Sequence, residues 1–322
     1  GIQEVAQRAG VSTATVSYII NNKKQVSPET RKRVEQSIKE LGYRPNEIAR
    51  SFKTGKKNLV AFIVPDIANN FFSTLIEEIE SVLASENYKL MILNTKETKQ
   101  RELDSINTIS RGMVDGVILA STMGDYSEIK DVLPPSIPII FIDRELPGCP
   151  SDSITVNCYD ATSAGIENLI AKGHSRIGYI TGLPRISTTI ERLNAYTAVM
   201  KKHGIYDASL IRIGDSMSHC VKTNLDSLLD SGCSAIVITN NVMATEAMLQ
   251  MLDKGILPGR DVDMLGFKDS FQAQYGLQHM DLIVQPTQEL GQLAGRQILK
   301  RMADPSAPQE RISINAEFVP RR

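Results

Sequence analysis

The residues of this 322-residue chain that could do chemistry do not assemble into a catalytic set. His174, His203, His219 and His279 are scattered, with no evident triad partner. Cys149, Cys158, Cys220 and Cys233 show neither C-x-x-C nor Cys/His spacing, which predicts reduced structural thiols in a cytoplasmic protein rather than a zinc site or a disulfide framework. There is no dinucleotide-binding glycine fingerprint, phosphate-binding P-loop or nucleophile elbow. An enzyme is not expected, nor a metal or cofactor. What remains is the chemistry of recognition, carried by two sets of hydrogen-bonding side chains. One is the hydroxyl-rich run Val-Ser-Thr-Ala-Thr-Val-Ser-Tyr-Ile-Ile-Asn at 11–21; the other follows a series of apolar runs, as Asp66, Ser121, Arg144, Asn240 and Lys268.

The first set needs two helices and a sharp turn. Ile2, Val5, Ala6 and Ala9 make one apolar helical face, Gly10 supplies the turn, and Ser12 can cap a second helix on which Val16, Ile19 and Ile20 point inward. Thr13, Ala14, Thr15, Ser17 and Tyr18 are left outside. This is a helix-turn-helix layout, whose second helix enters the DNA major groove. Ser27, Pro28 and Gly42 delimit a third helix that packs through Val34, Ile38 and Leu41. Charge agrees with a polyanion partner for this end alone: residues 1–57 carry 12 Lys/Arg against 5 Asp/Glu, and the remainder 24 against 32. Residues 44–57 are a basic linker that also suits two helical turns from Asn46, with Ile48 and Phe52 on one face. Phe52 could wedge between base steps in the minor groove or pack on the body.

The second set requires a larger scaffold. From Asn58, strand candidates at 59–64, 89–93, 116–120, 138–142, 177–181, 235–239 and 263–267 alternate with helix candidates at 70–86, 99–112, 160–172, 188–203, 218–231 and 243–255. Near-continuous apolar strands between helices predict parallel sheets covered on both faces. Their number predicts an α/β body of two doubly wound lobes, with ligand bound beyond the C-terminal strand ends. The expected divisions are a helix-turn-helix head at 1–45, a hinge at 46–57 and a body at 58–322. One lobe takes 58–157 and 287–310, the other 158–286 and 311–322. No apolar run reaches membrane-spanning length, and the start does not read as a signal peptide.

Several stretches resemble the bacterial lactose/galactose repressor family: Val-Ser-x-x-Thr-Val-Ser at 11–17, Leu41-Gly42-Tyr43-x-Pro45-Asn46, Ala49-Arg50-Ser51, Val114-Asp115-Gly116, Gly173-His174 and Gly266-Phe267. The resemblance spans essentially the whole chain. It implies an effector-controlled transcriptional regulator, a homodimer whose two heads read a roughly palindromic operator, and a body like a sugar-binding protein. By position it implies that Thr13, Ala14 and Tyr18 face bases, that Thr15, Ser17 and Asn21 meet phosphates, and that Lys24 adds a groove contact. Ala49, Phe52 and Lys53 fall on the hinge, Phe52 replacing the family's usual leucine. For the effector it implies Phe71 and Phe72 as an apolar wall, with Asp66, Ser121, Arg144, Asn157, Thr188, Arg192 and Asn240 as polar cleft positions. One departure stands out. The family's Gly-Phe-Asp is here Gly266-Phe267-Lys268, and lysine can only donate where aspartate accepts. With Arg144 and Arg192, Lys268 would give the cleft three cations, favouring an anionic sugar derivative unless Lys268 turns away or pairs with Asp66 or Asp269. The alternative of a stand-alone small-molecule binding protein lacks a use for the head. Whether the effector induces or corepresses stays open.

Overall fold

In a computed structural model, residues 1–20, 26–43, 56–215, 220–269 and 279–321 are described. The chain divides into two compact units, Gly1–Lys57 and Asn58–Arg322.

In the first unit, α1 (Ile2–Ala9) ends at Gly10, whose φ of 63° lies in the left-handed region that glycine enters without a Cβ penalty. The Val11 N–H reaches back to the Ala6 carbonyl at 3.0 Å, closing the turn. α2 (Thr13–Ile20) is capped by the Ser12 hydroxyl, which accepts from the Thr15 N–H at 3.1 Å. α3 (Pro28–Glu40) is capped likewise by Ser27. Val5, Ala6, Ala9, Val16, Ile19 and Val34 form the shared core, with Ile2, Val11, Ile20 and Ile38 packed around it. Leu41 does not join it. It stands past the last turn of α3 and is 38% exposed, because the chain turns off there through Gly42 at φ 56°.

The second unit holds two six-stranded sheets. The first runs β11-β5-β4-β3-β1-β2, built from β1 (Leu59–Val64), β2 (Lys89–Asn94), β3 (Gly116–Leu119), β4 (Ile139–Ile142), β5 (Asp152–Asn157) and β11 (Arg311–Asn315), all parallel. The second runs β12-β10-β9-β8-β6-β7, built from β6 (Ile177–Thr181), β7 (Ile211–Ile213), β8 (Ala235–Ile238), β9 (Asp263–Asp269), β10 (Asp281–Gln285) and β12 (Glu317–Val319). Only β12 is antiparallel, to β10. The central strands β1, β3 and β8 are apolar and buried on both faces, as parallel sheets demand. Helices cover them: α4 (Asn70–Ser85), α5 (Lys99–Ile109) and α10 (Thr287–Ala303) on the first lobe; α6 (Tyr159–Ala171), α7 (Ser187–Lys202), α8 (Val221–Asp230) and α9 (Asn241–Asp253) on the second. Gly291 and Gly295 let α10 lie close on α4, since an added Cβ would sit 2.7 Å from Glu78 and 2.8 Å from Val82.

The expected lobe boundary is corrected at 311–315. β11 pairs with β5 over five residues and belongs to the first sheet, so only the segment from Ala316 onward returns to the second. Asp152 explains the position. Its buried carboxylate takes two bonds from Arg301 (2.9 and 2.7 Å), one from Gln297 and one from the Glu310 N–H, fixing α10 and the start of β11 against β5. The chain therefore crosses between lobes three times, after β5, β10 and β11.

Candidate functional sites

In the first unit, α2 buries Val16 and Ile19, which leaves Thr13, Ala14 and Tyr18 exposed and Thr15 and Ser17 half-exposed. Tyr18 keeps 42% of its surface open, unusual for an aromatic side chain in so small a core. Thr13 and Ala14 lie in the first turn, where a groove-reading helix presents its side chains. Thr15 also has a local task, its hydroxyl lying 2.9 Å from the Ser12 cap. Asn21, Lys24, Ala49, Phe52 and Lys53 lie outside the described residues.

In the second unit, the predicted cleft residues cluster where the strand ends of the two lobes meet. Four hydrogen bonds cross between lobes there. Asn241 Nδ2 donates to Asn69 Oδ1 at 2.7 Å, the Glu145 N–H donates to the Ser187 hydroxyl at 3.0 Å, and Arg185 donates through Nε to the Thr122 carbonyl at 2.9 Å and through Nη2 to the Glu97 carbonyl at 3.4 Å. Asn69 is itself the cap of α4, accepting from the Phe71 N–H, so the first contact seats Phe71 and Phe72 beside the start of α9. Those two rings are buried and meet edge to face at 5.2 Å. Phe72 lies 6.0 Å from the Arg144 guanidinium.

Arg144 does not stand as a free cation. Its Nη1 and Nη2 clasp the two carboxylate oxygens of Glu97 at 2.9 and 2.5 Å, and Nη1 also donates to the Ser121 carbonyl. Burial pushes Glu97 up, yet the Arg144 charge and hydrogen bonds, aided by Arg185, hold it below the usual carboxylate range. Burial likewise opposes the charge on Arg144, but Glu97 and Asp143 overcome it and its pKa is raised. Asp143 is pushed up by burial, and Arg144 and Arg192 pull it only part of the way back. Ser121 is equally committed: its hydroxyl donates to buried Glu102 at 2.5 Å, and Glu102 also accepts from the Thr122 N–H and hydroxyl, each at 2.6 Å.

The second lobe differs. Arg192 Nη1 donates to the Thr239 carbonyl at 2.6 Å, and its guanidinium stacks 4.2 Å over the Phe267 ring. Its buried Nε has no hydrogen-bond partner. Lys268 is 3% exposed and donates to the Thr245 hydroxyl on α9 at 2.7 Å; Thr245 in turn donates to the Asn241 carbonyl. Cys158 lies against Arg192, but burial pushes its thiol up to about 11, which keeps it protonated and unreactive.

Not every predicted position serves a cleft. Asn157 spends its carboxamide on the crossings, donating to Asn315 Oδ1 and accepting from the Tyr159 N–H, each at 3.1 Å. Asp66 Oδ1 closes a turn by accepting from the Ala68 N–H. Asn240 Oδ1 caps α9, accepting from Val242 and Met243. Thr188, half-buried, follows the lobe-bridging Ser187. Sequence reasoning missed Glu97, Glu102 and Arg185. Each lies a residue or more past a helix or strand boundary, or on a helix, with nothing in its own spacing to mark it.

The head and the two-lobed body together define a DNA-binding regulator with a periplasmic-binding-like sensor. The family described as bacterial regulatory proteins, lacI family, matches residues 1–46, and a periplasmic binding protein-like domain matches residues 166–322. The chain is a transcriptional regulator similar to the lacI family. It is 29% identical to the HTH-type transcriptional regulator KdgR of Bacillus subtilis, covering 100% of this chain and 96% of that one. It is 28% identical to the ribose operon repressor of Escherichia coli K12, covering 99% and 98%. Among solved structures, the Lac repressor bound to ONPG in its repressed state superposes with a TM-score of 0.83 at 24% identity, covering 100% of this chain and 98% of that one. A lacI-family regulator from Silicibacter pomeroyi gives 0.80 at 23% identity, covering 99% and 98%.

Proposed function

We propose that the chain represses a carbohydrate catabolic operon, binding a dyad-symmetric operator as a cytoplasmic homodimer and responding to a small anionic effector between its lobes. The naming of the relative from E. coli as a ribose operon repressor supports the first part. The second rests on one observation: two cationic side chains, Arg192 and Lys268, are buried on the second lobe, Arg192 donating to the Thr239 carbonyl and Lys268 to the Thr245 hydroxyl. A sugar phosphate or sugar acid meets both in charge-assisted bonds, while Phe71 and Phe72 pack on its apolar face. Arg144 contributes less than its charge suggests, because Glu97 neutralises it. Thr13, Ala14 and Tyr18 read base edges, Ala14 through a thymine methyl only. Thr15, Ser17, Asn21 and Lys24 fix the head on the backbone, and Ala49, Phe52 and Lys53 serve the hinge. The effector acts by favouring one lobe arrangement, so operator and effector alter each other's affinity by the same factor.

Selection from random-sequence DNA tests the operator claim. The full chain is expected to enrich two half-sites with dyad symmetry, and a fragment from Leu59 to enrich nothing. Tyr18→Ala should lower specific binding by about tenfold or more while sparing non-specific binding; equal losses would remove Tyr18 from base reading. Calorimetry with a hexose, its phosphate and its aldonic acid tests the effector. Preference for the neutral hexose would overturn the anionic reading.

A further inference from the structure

Glu97 is tied to both lobes at once. Its carboxylate holds Arg144 of the first lobe in a two-bond clasp, while its backbone carbonyl lies 3.4 Å from Nη2 of Arg185 of the second, whose Nε also grips Thr122. The loop that carries it is strained: Lys96 and Glu97 have φ of 51° and 55°, and Asp143, beside Arg144, has 67°. These are left-handed values that residues with side chains adopt only where surrounding contacts enforce them, and they gather at ligand clamps and switches. Arg144 itself is anchored independently of Glu97, through the Ser121 carbonyl, and its buried Nε has Asp143 only at 3.5 Å with no hydrogen bond made. A firmly seated guanidinium thus faces a carboxylate on a strained loop.

We infer that Glu97 is an internal ligand, filling an anion seat formed by Arg144 and Arg185 and holding the lobes together until a carboxylate or phosphate displaces it. This deepens the reading that the cleft receives an anion, and rests on it. Displacement breaks the Glu97–Arg144 pair and replaces it with an equivalent pair to the incoming anion, so the charge balance at Arg144 is unchanged. It also releases the two left-handed residues. The fork geometry of a guanidinium suits either oxyanion.

The test uses the full chain, with inorganic phosphate and acetate as probes followed by calorimetry. Glu97→Gln is expected to bind phosphate at least about tenfold more tightly than the wild type, and adding Arg144→Met to that variant should erase the gain. Equal phosphate affinity in wild type and Glu97→Gln would overturn the inference. Arg192→Met in the Glu97→Gln background should keep the gain, so this result is separable from failure of the effector assignment at Arg192 and Lys268. Should Glu97→Gln not fold, Arg185→Gln gives a second reading: hydrogen exchange at Met123–Asp125 in the ligand-free chain should quicken by about tenfold, and unchanged exchange would overturn the inference equally.

Discussion

The two lobes share a sheet plan but carry different charge at their facing ends. In the first, the buried charges are closely bonded: Arg144 by Glu97 and Asp143, and Glu102 by the hydroxyls of Ser121 and Thr122. In the second, Arg192 and Lys268 are steadied by a backbone carbonyl and a hydroxyl. The Glu102 network is a frame, because its bonds are already made. In the second lobe, an entering anion would meet two buried cations, Arg192 and Lys268, in a setting of low dielectric where charge interactions are strong. On this view the Glu102 network gives the first lobe its rigidity, and Arg192 and Lys268 give the second its part in selectivity.

Four substitutions or conditions would break or sharpen that contrast. The largest effect is expected from Glu102→Ala. It leaves three donors unanswered inside the first lobe, which costs roughly 3–5 kcal/mol and lowers the melting temperature by on the order of 10 °C in calorimetry. A loss under about 1 kcal/mol would deny that this network is a frame. Next comes Arg192→Met. It should weaken an anionic effector by roughly a hundredfold, as removal of a charge-assisted bond in a closed site does, while far-ultraviolet circular dichroism stays as in the wild type. Third, Asn240→Ala removes only a helix cap in the second lobe. It should cost about 1 kcal/mol in chemical denaturation, well below the Glu102 loss.

The smallest effect is the pH response. Glu97 and Asp152 are held below their ordinary ranges, so they add stability at neutral pH that is lost as the solution is acidified through the unfolded carboxylate range and then their lower folded values. Asp143 is held above its range. Its charge costs stability at neutral pH, and that cost disappears on acidification through its raised folded value. The wild type should therefore melt earlier as pH falls below about 4.5, with Asp143 blunting the slope. Arg144→Met strips Glu97 of its partner, so that variant should be weaker at neutral pH and flatter in its acid response. Parallel melting curves for the two would contradict the pairing.

The architecture was legible where period and apolarity agree. β1, β3 and β8 are unbroken apolar runs, and α2 carries its cap, turn and inward face in a few residues. β5 was not legible, because Asp152, Ser153, Thr155 and Asn157 make it read as a loop; it is a strand because Arg301 and β11 satisfy it from far away in sequence. β7, β11 and β12 are short edge strands with little burial to mark them. At the strand ends, residue types marked polar positions but not who pairs with whom. A count of three cations suggests a strongly positive site, whereas Glu97, carried on a loop after β2, spends one of them. Asn157 and Asp66 illustrate the same gap, since a polar residue at a strand end serves a turn or a crossing as readily as a ligand.

The third crossing, at Ala316, has a consequence for how the molecule is made. β11 completes the first sheet and β12 the second, and both come from residues 311–319. Neither sheet is whole while those residues are still inside the ribosome, however early the preceding strands pair. Synthesis proceeds from the other end, so the head can fold alone from the start while both lobes wait, each with an open edge on β5 or β10, for the same nine residues to emerge. The body is thus finished in a single late event that closes both lobes together, and a nascent chain stopped before Arg311 would carry a folded reader joined to a sensor exposing two sticky edges.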